Sequence, residues 1–312
     1  MSQSLRAVPG GVVSFGCGSF YLYAYMRLKD CISEVCPLLF DVSSPSVERP
    51  VEYIQRIGWD NDPIIVQCLM GNVSCYMRIY DLSTGQYIRV NPSKIKINNT
   101  SYLYEFMITM DLDNGIYKAV IMTGYQSLES VVFRKCDIDE FADCSLIRYT
   151  HPDNIVPFKA IFDAGDDRKR VFTLAVEGGF KTDGRSLHVS NEFFRTQNQK
   201  LIELYSVPYD DMTFTLGDNR GVPFEMGRLL NNILCLGHVE INGERYVRSE
   251  SSVPEQQVVL EGSPQYIYTV KLERSPYEEE DYADSPNLWF LRDDFVDANG
   301  YVLTNEDLSW ED

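Results

Sequence analysis

Ser101-Tyr-Leu-Tyr-Glu-Phe-Met-Ile-Thr109, then Asp113-Asn114-Gly115, then Ile116-Tyr-Lys-Ala-Val-Ile-Met122 is the run on which the fold reading turns. Both flanks are crowded with aromatic and large aliphatic residues and carry no 3.6-residue apolar stripe, which is the composition of strands. Asn-Gly accommodates the two positive-φ positions of a type I′ turn, so the run reads as a β-hairpin. The same signals recur on both sides. Upstream, Cys75-Tyr-Met-Arg-Ile-Tyr80 and Gln86-Tyr-Ile-Arg-Val90 flank Asp81-Leu-Ser-Thr-Gly85, a second hairpin-like loop. Pro63-Ile-Ile-Val-Gln-Cys-Leu69 is apolar on both faces, as a core strand is. Downstream lie Ser130-Val-Val-Phe-Arg134 and Cys144-Ser-Leu-Ile-Arg-Tyr149. About seven short strands with no long helical pattern predict a β-sandwich over residues 19–153.

Thr150-His-Pro-Asp-Asn-Ile-Val-Pro157 carries two prolines among polar residues and reads as an exposed join. Residues 154–274 then predict a second β-rich domain. Arg170-Val-Phe-Thr-Leu-Ala-Val176 is a strand that Glu177-Gly178-Gly179 is expected to break. Leu201–Val207, Met212–Leu216 and Gln265–Leu272 alternate like further strands. Between them Met226, Leu229, Leu230, Ile233 and Leu234 form an i, i+3, i+4, i+7, i+8 stripe, a short helix near residues 223–235. Pro223 suits its first turn, where no N–H is needed. Asn242-Gly243 marks another hairpin, between His238–Ile241 and Glu244–Val247. The fold class is thus mainly β: two β-sandwich-like domains, one short helix in the second, an N-terminal arm at residues 1–18 and an acidic C-terminal arm at residues 275–312.

The chain has 312 residues, 44% of them hydrophobic, enough for each domain to bury a core. Its formal charge is −18 and is uneven. Residues 273–312 hold 13 acidic and two basic residues, a net −11, which leaves −7 for the first 272. Such a surface repels nucleic-acid phosphates and anionic membranes, so neither is an expected partner. No stretch approaches the ~20 consecutive apolar residues of a membrane-spanning helix. The apolar run before Phe20 is too short for a signal peptide, and Cys17 lacks the leucine three positions earlier that a lipoprotein site requires. Eight cysteines without a CxxC pair read as buried free thiols in a protein made in a reducing cytosol.

Chemistry is sparse. The three histidines, His151, His188 and His238, stand apart from one another and from cysteines at ligand spacing. HExxH, GxSxG and Gly-rich phosphate loops are absent. Asp297-Ala-Asn299-Gly300 with Glu306 matches part of a calcium loop, but Phe295 occupies the position of its first carboxylate. Asp166-Asp167, Asp210-Asp211 and Asp293-Asp294 read as solvated turns rather than a glycosidase pair. No catalytic residue, cofactor site or metal site is expected. The acidic arm pairs a charged spacer with an apolar anchor, so Tyr277, Tyr282, Leu288, Trp289, Phe290 and Leu291 are the candidate partner-docking residues.

Four stretches also carry a resemblance. They are Cys144-Ser-Leu-Ile-Arg-Tyr-Thr-His-Pro-Asp-Asn154, Val176-Glu-Gly-Gly-Phe-Lys-Thr-Asp-Gly184, Thr215-Leu-Gly-Asp-Asn-Arg-Gly-Val-Pro223 and Val239-Glu-Ile-Asn-Gly-Glu-Arg-Tyr-Val-Arg248. In order and phrasing, residues 60–274 resemble tail-associated structural proteins of phages and prophages of Bacteroides-type bacteria. The resemblance carries no functional residue across. It implies a non-enzymatic virion protein of the tail or baseplate, made in the host cytoplasm. Such a protein forms a ring-like homo-oligomer and joins neighbouring virion proteins through its arms. The alternative is a module that binds a glycan or adheres to a host surface, with exposed tyrosines stacking on sugars.

Overall fold

A computed structural model describes residues 27–40, 53–57, 63–108, 112–136, 144–166, 168–217, 219–249, 252–259, 261 and 264–275. Among these the protein is mainly β, with one α-helix.

The first unit comprises β1 (Ile54–Ile57), β2 (Ile64–Met70), β3 (Cys75–Asp81), β4 (Tyr87–Val90), β5 (Ser93–Lys96), β6 (Tyr102–Ile108), β7 (Gly115–Thr123) and β8 (Ser127–Lys135). One sheet runs β1-β8-β7-β3-β4 and a second runs β2-β6-β5. Val66, Cys68, Tyr104 and Phe106 of the small sheet share a buried core with Met77, Ile79, Ala119, Ile121 and Phe133 of the large one, which makes the unit a sandwich. β2 is buried on both faces, as its composition predicts. Val66 and Cys68 face the sandwich core, while Ile65 on the opposite face joins the core of the second unit.

The hairpin expected at Asp113-Asn114-Gly115 does not form. β6 pairs with β2 and β5, whereas β7 pairs with β3 and β8. The Asn-Gly segment crosses from one layer to the other, and its flanking strands meet through side chains rather than backbone hydrogen bonds. Asn114 is not among the described non-glycine residues with positive φ, so the type I′ geometry is absent as well. The loop Asp81–Gly85 does join a hairpin, β3 to β4, with Gly85 at φ 72°.

The second unit comprises β9 (Cys144–Thr150), β10 (Phe172–Arg195), β11 (Leu201–Leu216), β12 (Val222–Pro223), α1 (Phe224–Ile233), β13 (His238–Ile241), β14 (Glu244–Arg248), β15 (Glu255–Val258) and β16 (Gln265–Arg274). β9, grouped by sequence with the first unit, hydrogen-bonds on both edges here, to β10 and β13. The pairings continue β10–β11, β11–β16, β16–β14 and β14–β13, so the antiparallel sheet closes on itself. This is a sandwich-like barrel whose core strands have no open edge. Glu177-Gly178-Gly179 does not end a strand, because β10 runs through it for 24 residues. The segments 201–207 and 212–216 are likewise one strand, β11.

The helix lies where its stripe predicts. Met226, Leu229, Leu230 and Ile233 are buried in the barrel core with Phe172, Leu174 and Phe214. α1 leads from the β11 side of the ring to β13, which stands opposite, and so crosses the barrel end. Its close seat depends on Gly227, where a Cβ would collide with the Tyr268 ring. Asn242 and Gly243, at φ 54° and 84°, make the β13–β14 turn expected of them.

The two units share buried contacts. Tyr149 Oη donates to the Val35 carbonyl at 2.6 Å, and Val35, Leu39 and Ile65 belong to the barrel core. The join beginning at Thr150 leads into a folded loop whose Ala160, Ile161 and Phe162 are buried. Gln67 clasps that loop by donating to the Ile161 carbonyl at 2.8 Å and accepting from its N–H at 3.0 Å.

Candidate interaction site: a projecting hairpin arm

β10 and β11 are longer than the barrel that holds them. β9 covers β10 only over Phe172–Glu177, and β16 covers β11 only over Asp211–Leu216. Beyond this, from Leu187↔Asp210 to Arg195↔Leu201, the two strands pair only with each other among the described residues. Nine residues of β10 at the strand rise of ~3.4 Å make a ribbon roughly 30 Å long. Thr196 N–H donates to the Lys200 carbonyl at 3.0 Å to close its tip.

The ribbon is built of residues that ordinarily seek cover. Leu187 is 84% exposed, and Val189, Phe193, Phe194, Leu201, Ile202, Leu204, Tyr205 and Val207 are all exposed. Residues opposite one another share a face, so Leu187, Val189, Phe193, Pro208 and Leu201 lie on one side, and Val207, Tyr205, Phe194 and Ile202 on the other. A bulge at Glu192/Phe193, with Leu204 as the extra residue, twists the ribbon midway.

The root is braced. A three-residue register shift, in which Lys181–Gly184 stand against Thr213 alone, redirects β10 as it leaves the barrel. Just before it Gly178 stands at φ 127°, where a Cβ would run into the Thr215 carbonyl oxygen. Arg185 pairs with Asp210 and Lys271 lies 3.2 Å from Asp211. The His188 ring stacks on Tyr209 at 5.2 Å.

Three physical costs converge on this ribbon. A lone two-stranded hairpin is marginally stable in water. Each outer edge exposes unpaired N–H and C=O groups. Large exposed apolar side chains, here interleaved with Asn191, Glu192, Glu203 and Ser206, are characteristic of an interface. A second layer, or a strand added at either edge, removes all three.

Tyr277, Tyr282, Leu288, Trp289, Phe290 and Leu291 lie outside the described residues, as do Asp293-Asp294 and the partial calcium loop. The histidines are separated among β10, β13 and the loop after β9. His238 is buried with its Nε2 3.0 Å from Glu240 Oε1. Asp166 accepts from both Arg170 and Arg168, and its hydrogen bonds to Arg170 hold its carboxyl well below the ordinary range. Among the described residues no group of three His, Cys, Asp or Glu could hold a metal ion, and no helix is long and apolar enough to cross a membrane.

The thiols at 31, 36, 68, 75 and 136 are free and buried, as expected. Burial pushes Cys31 up to about 11, and Cys36 and Cys75 up to about 12. Cys235 departs from the expectation set by its apolar neighbours. It follows the last turn of α1 and is exposed.

Sequence reading missed the arm. Its only signal is symmetry: two apolar flanks of matched length around the polar Thr196-Gln-Asn-Gln-Lys200, with no glycine between Arg185 and Tyr209. No family model, curated protein or solved structure matches the chain.

Proposed function

We propose that this protein is a non-enzymatic structural component of a phage virion, of the tail or baseplate kind. It assembles into a ring-like homo-oligomer and joins neighbouring virion proteins. The β10–β11 arm carries the assembly part of this reading, because a braced root and an uncovered apolar ribbon suit an element made for another chain. The phage assignment rests on the resemblance of residues 60–274. The arm's two faces differ, which suits the head-to-tail contacts of a ring rather than a self-complementary patch.

The test uses the full chain and a Leu187→Asp, Phe194→Asp variant, which places one charge on each face of the ribbon. Mass photometry and negative-stain electron microscopy give the oligomeric state. The expected result is closed oligomers for the parent and monomers for the variant, with the variant still showing a single cooperative thermal transition. A parent that stays monomeric at micromolar concentration, or a variant that assembles like the parent, overturns the reading.

A further inference from the structure

A second surface lies on the outer face of the five-stranded sheet. Tyr76, Arg78 and Tyr80 alternate along β3, and across the β4 edge Arg89 stands opposite Arg78 and Tyr87 opposite Tyr80. Rings and guanidiniums interleave. Arg78 Cζ is 4.7 Å from the Tyr87 centroid and 5.4 Å from that of Tyr76, and Arg89 Cζ is 4.3 Å from Tyr76. Tyr80 and Tyr87 are 5.5 Å apart.

Two features of this platform are unfavourable in isolation. Like charges placed directly across a strand pair repel. Yet among the described residues no carboxylate stands within ion-pair distance of either arginine. Arg89 Nε reaches only Asn91 Oδ1 at 3.1 Å, Arg78 Nη1 only Tyr80 Oη at 3.3 Å, and Arg78 Nε is out of solvent without a partner. A chain with 46 acidic residues against 28 basic ones has carboxylates to spare. An anion arriving from elsewhere relieves both features.

We infer that this platform receives the protein's own acidic C-terminal segment, residues 276–312. That segment holds 12 acidic residues and one base, interspersed with Tyr277, Tyr282, Trp289 and Phe290, which match tyrosine faces as well as guanidiniums. It continues directly from β16, whose last residue is Arg274. Its 37 residues span up to ~120 Å when extended, at ~3.3 Å each. Tethering gives it an effective concentration of order millimolar, an advantage over any free anion of modest affinity. The assignment does not depend on assembly through the arm.

The test places photo-reactive benzoylphenylalanine at position 87 of the full chain and maps crosslinked peptides by mass spectrometry. Crosslinks are expected within residues 276–312. Their yield should fall about tenfold when Arg78→Glu and Arg89→Glu are introduced, the loss of two exposed charge pairs worth together ~1.4 kcal/mol. It should also fall in 0.5 M salt and when synthetic peptide 276–312 is added in excess. Arg89→Gln alone, at an exposed edge position, gives a smaller drop and guards against misfolding of the double variant. Crosslinks that map elsewhere, or a yield indifferent to charge reversal, overturn the inference. Binding of an acidic polysaccharide at position 87 with no crosslink to the segment overturns it too, and assigns the surface to a glycan.

Discussion

Arg170 Nε donates to Glu105 Oε2 at 2.5 Å, and the two side chains are 3% and 1% exposed. Glu105 lies on β6 of the sandwich and Arg170 immediately precedes β10 of the barrel, so the pair is a buried link between the units. Gln67 Nε2 donates to the same carboxylate at 3.1 Å, and the far side of the guanidinium donates to Asp166 at 3.0 Å. The charges are therefore compensated on all sides. Removing one partner strands the other.

Arg170→Ala is expected to destabilise the protein by about 3–5 kcal/mol, because it leaves the Glu105 carboxylate buried and unpaired. Glu105→Gln keeps the shape but strands the guanidinium charge, and it is expected to cost less while Asp166 remains. A double Arg170→Met, Glu105→Met replacement should recover most of the loss, since apolar residues of similar volume need no compensation. Urea midpoints of the three variants check the order. A midpoint for Arg170→Ala equal to that of the parent would mean that the link contributes nothing.

Gly178 and Gly243 both have positive φ, yet the predictions for them differ. Alanine at Gly243 meets open space and bears only the cost of a left-handed conformation, about 1 kcal/mol. Alanine at Gly178 bears that strain and in addition drives its Cβ into the Thr215 backbone. Because Thr215 belongs to the β10–β11 and β11–β16 ladders, the damage falls at the arm root. Gly178→Ala should lower the thermal midpoint several degrees more than Gly243→Ala and should also reduce oligomer formation. Equal shifts for the two variants would contradict this account of the root.

These glycines also show where the sequence is legible. Asn242-Gly243 signals a turn that forms, because its flanking strands are neighbours in the barrel. Asn114-Gly115 carries the same dipeptide, yet its flanks pair with other strands across two sheets, and local turn chemistry cannot rank long-range pairings. Leu201–Val207 reads correctly as strand, but alternation shows which residues are apolar, not whether anything covers them. The arm therefore looks like an ordinary piece of sheet until the lengths of β9 and β16 are known. α1 was legible residue by residue because a five-residue stripe at helical period has few competing readings. Cys235 falls just past that stripe, where its apolar neighbours turn inward and the thiol outward.

Acid should weaken the fold through two carboxyls held below their ordinary range. The Ser83 and Thr84 hydroxyls donate to Asp81 and hold its carboxyl at about 2, and the Arg170 guanidinium holds Asp166 lower still. A carboxyl depressed in the folded state contributes stability that is complete above its unfolded value, near 3.8, and is lost as pH falls through the folded one. The contributions of these two groups are therefore constant from pH 7 to about 5 and begin to decline near pH 4, that of Asp166 persisting further into acid than that of Asp81. Asp166→Asn should lower stability at neutral pH and flatten the acid limb. Thermal midpoints from pH 7 to pH 2 check this, and a variant whose acid limb stays as steep as the parent's would refute the role of Asp166.

Thiol reactivity gives an independent check on the sandwich core. Burial pushes Cys36 and Cys75 up to about 12, so at pH 8 they hold far less thiolate than an ordinary thiol near 8.5. Burial adds a second barrier, since the reagent must also reach the sulfur. Cys235 is exposed, with its Sγ 3.3 Å from an Arg248 guanidinium nitrogen. Brief treatment of the native protein with a maleimide should therefore modify Cys235 and leave Cys31, Cys36, Cys68 and Cys75 intact until denaturant is added. Peptide mapping distinguishes the sites, and native labelling of Cys68 at the rate of Cys235 would show that the two sheets are not packed as described.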